Sequence, residues 1–96
     1  MANIDIAGNI RAVELMKVEL LRKLTDLFSH IYTEPDSVSG DNIANDCASL
    51  IALSAMLGKR LGVSYEDTYS ELLKLLKSKD GLNPVFGDKN ELLEKL

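Results

Sequence analysis

The chain has no tryptophan, and aromatic residues make up only 5% of it, so any core must be built from leucine, isoleucine, valine and alanine. It holds one cysteine, Cys47, which excludes an internal disulfide. Nowhere do β-branched and polar residues alternate over five or more positions, which leaves no strand to predict. Basic residues are not in excess. A net charge of −4 argues against non-specific nucleic-acid binding, which needs clustered Lys and Arg to displace phosphate counterions. The opening MANIDIAGNIRA has neither a basic n-region nor an apolar h-region. The longest uncharged run, Cys47 to Gly58, is too short to cross a bilayer. A cytoplasmic protein with no membrane partner is therefore expected. A Gly-rich phosphate loop, zinc-type Cys/His spacing, a nucleophile elbow and a basic recognition helix are also missing.

What the chain does have is helical periodicity. Hydrophobic residues reach 46% and charged residues 27%, a globular composition in a length that suits one domain. The first helix is predicted from about Ile6 to Tyr32. Ile10, Val13, Leu20, Leu21, Leu24, Leu27, Phe28 and Ile31 recur at i, i+3, i+4, interrupted by Lys17, and Leu15, Met16 and Val18 widen the face. So wide a face on so long a helix calls for more than one neighbour. Pro35 stops the helix, and Asp36, Ser37, Ser39 and Gly40 read as loop.

A second helix is predicted from an Asp41 N-cap to Gly62, with Lys59 and Arg60 in its last turn. Ile43, Cys47, Leu50, Ile51, Leu57 and Leu61 form one face and alanines much of the rest. That pattern places the helix in the middle of a bundle, with Cys47 in the core. Ser64 and Asp67 form a capping-box-like pair opening a third helix through Leu76, which Gly81 follows. Asn83-Pro84 marks a turn, and Asp88 is placed to cap a short helix from Lys89 to Leu96. The expected organisation is a helical domain over residues 1–81 and a turn with a short helix over 82–96, docking on the domain or on a partner subunit. The expected fold is all-α, with three main helices and a short C-terminal helix. Dimerisation is expected to complete a four-helix-like bundle.

Few side chains point to chemistry. The acids Glu14, Glu19, Asp26, Glu34, Asp41 and Asp46 include no i, i+3 or i, i+4 pair within either helix, so they read first as surface groups or caps. His30, the one histidine, falls near the end of the first helix, where an imidazolium suits the dipole. A dyad with Cys47 is conceivable, but Cys47 sits inside an apolar pattern. Arg22 with Lys23, and Lys59 with Arg60, are candidate phosphate-binding pairs. Their plainer reading is an Arg22–Asp26 surface pair and a favourable helix end.

The stretches NIRAVELMKVELLRKLTDLF and ANDCASLIALSAMLGKRLGVSYED resemble the MazG-like family, part of the all-α nucleoside triphosphate pyrophosphohydrolase superfamily. The similarity covers about Asn9 to Leu76 and rests on helix order and on the Leu-Gly-Val step that ends the second helix. The resemblance implies two motifs that hold magnesium on a triphosphate. The first-helix motif is Glu-Glu-x-x-Glu, and here the chain reads RKLTD, so Arg22 and Lys23 replace two acids and Asp26 remains. The second-helix motif is Glu-x-x-Asp, and here DCAS keeps Asp46 and puts Ser49 in place of the other acid. Asp26 and Asp46 are thus the metal-site remnants that the resemblance implies, and magnesium is expected only if the protein is active. The expected function is metal-free binding of a nucleotide or other phosphorylated ligand, with little or no hydrolysis, through Arg22, Lys23 and Lys59. The competing expectation is a homo-oligomeric helical interaction module with no small-molecule ligand.

Overall fold

The computed structural model describes residues 6–33, 39–78 and 88–96. Four helices account for nearly all of them: α1 (Ile6–Thr33), α2 (Ser39–Arg60), α3 (Tyr65–Lys77) and α4 (Lys89–Lys95). No strand occurs among the described residues, and the fold is all-α. None of these helices is long and apolar enough to cross a membrane. The chain forms two compact units, residues 1–62 and 63–96.

The first unit is an antiparallel helical hairpin. Its direction follows from its cross-helix bonds: Asn9 meets Arg60, while Lys23 meets Asn45 and His30 meets Asp46. The Asn9–Arg60 contact is reciprocal. The Asn9 amide donates to the Arg60 carbonyl at 3.2 Å, and the Arg60 guanidinium donates to the Asn9 side-chain oxygen at 3.2 Å. It ties the start of α1 to the end of α2.

The side of α1 turned to α2 is half-buried and carries Asn9, Val13, Met16, Leu20, Lys23, Leu27 and His30, each about one helical turn after the last. The expected single apolar face is therefore two stripes. Val13, Leu20 and Leu27 lie on the half-buried side, while Ile10, Leu21, Leu24, Phe28 and Ile31 stay exposed. The two stripes differ by roughly 100° around the helix, too wide an arc for a single neighbouring helix to cover. α2 departs from expectation in the same way. Ile51 is exposed, and so is Cys47, which was expected in the core. Cys47 follows Asp46 by one residue and so points roughly 100° away from the side that Asp46 buries.

The start of α2 also differs from the expected one. Ser39 and Gly40 belong to the helix, and Asp41 lies in its first turn, not at the N-cap. A carboxylate there still meets the positive end of the helix dipole. Pro35, Asp36 and Ser37 lie outside the described residues. The far end of α2 is as expected, with Lys59 and Arg60 in the last turn. Gly62 has a φ of +97°, and its N–H donates to the Lys59 carbonyl at 3.1 Å. That left-handed glycine terminates the helix.

In the second unit α3 is capped by Ser64, whose hydroxyl accepts from the Asp67 N–H at 3.0 Å. Leu76 is buried. Asp88 precedes α4 but makes no capping bond with its side chain, because its backbone is already helical and the carboxylate is not turned back to the helix N–H groups. Lys89 instead ties α4 to α3 by donating to the Ser78 carbonyl at 2.6 Å. Gly81 and the Asn83-Pro84 turn lie outside the described residues.

Two glycines provide opposite tests of this backbone. Gly62→Ala is strained by its positive φ and is expected to cost about 1–2 kcal/mol. Gly40→Ala meets nothing within 4 Å, sits in a helix, and is expected to stabilise by about 0.5–1 kcal/mol. Urea denaturation of both variants reads the two signs.

Candidate functional site

Asp46 is a buried acid, 2% exposed, on the side of α2 that faces α1. Burying a carboxylate without partners is costly, and the cost is met here by two residues of α1. His30 Nδ1 lies 2.5 Å from Asp46 Oδ2. Where Nδ1 carries the ring proton, it donates to this carboxylate oxygen. Lys23 Nζ stands 4.0 Å from Asp46 Oδ1 and donates to the neighbouring Asn45 side-chain oxygen at 3.4 Å. Lys23 and His30 are seven residues apart on α1, so they reach Asp46 from either side along the helix axis. Asp26 and Leu27 occupy the level between them.

The other motif positions are engaged differently. Arg22 grips Glu19 through two bonds of 2.9 and 2.7 Å and lies 3.7 Å from Asp26. The Arg22 hydrogen bonds hold the Glu19 carboxyl below its ordinary pKa, and the Glu19 carboxylate raises that of Arg22. This network is exposed, so it contributes little to stability. Ser49 is half-buried one turn beyond Asp46. Lys59 lies at the far end of the hairpin, in the last turn of α2, next to the Asn9–Arg60 tie. Asn9 and Lys23 are fourteen residues apart on α1, about 21 Å along the axis. One hairpin therefore does not bring Lys59 together with Arg22 and Lys23.

Sequence reasoning weighed His30 only as a helix-end group or a Cys47 partner and missed its pairing with Asp46. That pairing crosses sixteen positions and no local pattern announces it. A signal was nonetheless there. Folding the sequence back near residue 36, where Pro35 interrupts the helices, sets Asp46 level with Asp26. The residues one turn either side of that level are Lys23 and His30.

The magnesium implied by the resemblance does not fit this donor set. Among the described residues, no three His, Cys, Asp or Glu side chains converge as metal ligands. The oxygens of Asp46 already face an imidazole N–H and an ammonium. A dication about 4 Å from the Lys23 ammonium would be repelled by about 8 kcal/mol at an effective dielectric near 20.

The arrangement defines a small all-α domain whose helical hairpin encloses a neutralised carboxylate. Residues 6–88 match the model of the MazG-like family, and the chain belongs to that family. No curated protein and no solved structure matches it significantly.

The two remnant acids should respond differently to neutralisation. Asp46→Asn removes a buried charge that satisfies two neighbours and is expected to cost about 1–3 kcal/mol. Asp26→Asn, at an exposed pair, is expected to change stability by less than about 1 kcal/mol. Thermal unfolding of both variants checks the contrast.

Proposed function

We propose that this MazG-like domain works as a homo-oligomeric helical module with little or no pyrophosphohydrolase activity. The observation that carries this reading is the outward stripe of α1. Leu21 is 67% exposed and Phe28 60% exposed, and Ile10, Leu24 and Ile31 continue the same line. The helix is 28 residues long, about 42 Å, and so offers an apolar strip of interface length. Two hairpins meeting through that strip complete a four-helix bundle by a two-fold, self-complementary contact. The reading gains support from the neutralised interior, since Asp46 has its own cation and needs none from solution. The division into a main helical domain over residues 1–81 and a docking segment over 82–96 belongs to the same proposal, as does a cytoplasmic location.

A second reading is favoured by one observation of its own. Lys23 and His30 are both partly exposed, so part of each reaches solvent beside the buried carboxylate. That supports binding of a nucleotide or other phosphorylated ligand without magnesium. Arg22 is a weaker phosphate contact than expected because Glu19 and Asp26 already share it.

Sedimentation at increasing concentration tests the first reading. The native chain is expected to form dimers at micromolar concentration, and the double variant Leu21→Glu with Phe28→Glu to remain a helical monomer. A native chain that stays monomeric across that range defeats it. Magnesium with a nucleoside triphosphate is expected to yield no pyrophosphate, and release of pyrophosphate that Asp46→Asn abolishes would contradict the proposal.

A further inference from the structure

We propose that two copies of the hairpin pair about a two-fold axis running along the helices, so that α1 of each protomer lies on α2 of the other. The inference rests on the homo-oligomer reading above and names the face, the register and the partner helix it requires.

α2 has an outward stripe of its own. Cys47, Ile51, Ser54, Gly58 and, just past the helix end, Leu61 recur at spacings of four and three. All but the half-buried Gly58 are exposed, and none is charged. On each helix the outward stripe is reached by turning roughly 90° from the hairpin contact, in the sense in which the helix winds. Because α1 and α2 run antiparallel, those two turns bring both stripes to the same face of the hairpin. Ile10, Leu21, Leu24 and Phe28 of α1 and Ile51 and Leu61 beside them are each 38–71% exposed. Together they offer on the order of 600 Å² of apolar surface, against the roughly 800 Å² per partner that a stable interface buries.

The order of side chains along the two stripes selects the partner helix. The hairpin register sets Asp26 level with Asp46, and the same register sets Phe28 level with Ala44, Leu24 with Cys47 and Leu21 with Ile51. Further along, Lys17 is level with Ser54 and Glu14 with Gly58. The α1 stripe is thus apolar at the loop end and then crosses a charged pair, Glu14 and Lys17, joined at 3.1 Å. The α2 stripe is apolar over the same levels and turns to Ser54 and Gly58 where the charged pair stands. An axis along the helices keeps these levels together. Phe28 and Leu24 then meet the small Ala44 and Cys47 of a second copy, and the charged pair meets small or polar residues. An axis across the helices sets α1 on α1 instead. It either places Lys17 against apolar side chains or slides the hairpins until half of each face is uncovered. It also packs large residues on large along α1 and small on small along α2, which calls for two different helix spacings in one interface. The occupant of this face is therefore a second copy, turned so that unlike helices meet.

Disulfide trapping in full-length chains tests the arrangement. Each chain carries one cysteine, so every covalent dimer is intermolecular. The native chain, with Cys47, is mixed with the double variant Leu24→Cys, Cys47→Ala and oxidised with copper–phenanthroline. The mixed covalent dimer should form at least fivefold faster than either chain with itself. If Leu24→Cys does not fold or dimerise, a second pair at exposed positions decides: Lys17→Cys against Ser54→Cys, both with Cys47→Ala. Faster self-crosslinking, or no crosslink from either pair while sedimentation shows a dimer, overturns the arrangement and spares the homo-oligomer reading. A monomer by sedimentation overturns both, and shielding of Cys47 from a maleimide in that monomer would assign the face to the chain's own residues.

Discussion

The hairpin depends on the solvation of one carboxylate. Asp46 is taken out of water by α1 and α2 together, and only a hydrogen bond from His30 and the charge of Lys23 make that burial tolerable. Both partners lie on α1. The interaction therefore does more than satisfy an acid, because it specifies which turns of the two helices stand opposite each other. The apolar residues along the interface, Val13, Leu20, Leu27, Leu50 and Leu53, would accept a slip of one turn with small loss. A charged group and its two partners would not. At the other end Asn9 and Arg60 pin the same register through neutral and charged bonds. Between these two points the packing is aliphatic and needs only volume.

The same cluster accounts for the chain's departure from the metal-binding pattern that its family resemblance implies. A carboxylate set that binds magnesium keeps its acids close and waits for an external cation to relieve their repulsion. Here the cation is covalently present. Lys23 stands where the family motif has an acid, and it faces the one second-helix acid that remains. At this point the chain supplies its own cation beside the buried acid.

Helix positions were legible in the sequence because their signals are local. The end of α2 is marked by Gly62 and its basic last turn, α3 by Ser64, and α1 by a long apolar repeat broken only at Lys17. The start of α2 was less clear, since Ser39 and Gly40 are common in loops yet tolerate a first helical turn. The all-α class followed from helical periodicity and from the absence of any stretch that alternates β-branched with polar residues. What periodicity could not settle was which apolar residues meet. A stripe says that a residue is on one side of a helix, not that something is there to cover it, and so Cys47 and Phe28 read as core although both are exposed. The site was half legible. Asp46 and Lys23 stood out as motif positions, whereas His30 gained its role from a partner on another helix. Arg22 and Lys59 carry the right charge, but one is occupied by its own helix and the other lies at the far end.

An internal cation also limits what the hairpin tolerates in its place. The family resemblance implies an acid at the position of Lys23. Restoring that acid alone would set a second carboxylate against one already excluded from water, with only the His30 imidazole left to meet it. Restoring the acid at Ser49 alone would add negative charge beside an ammonium that blocks any metal. The Lys23–Asp46 pairing thus resists loss of its cation, because that first substitution leaves a buried carboxylate short of a partner.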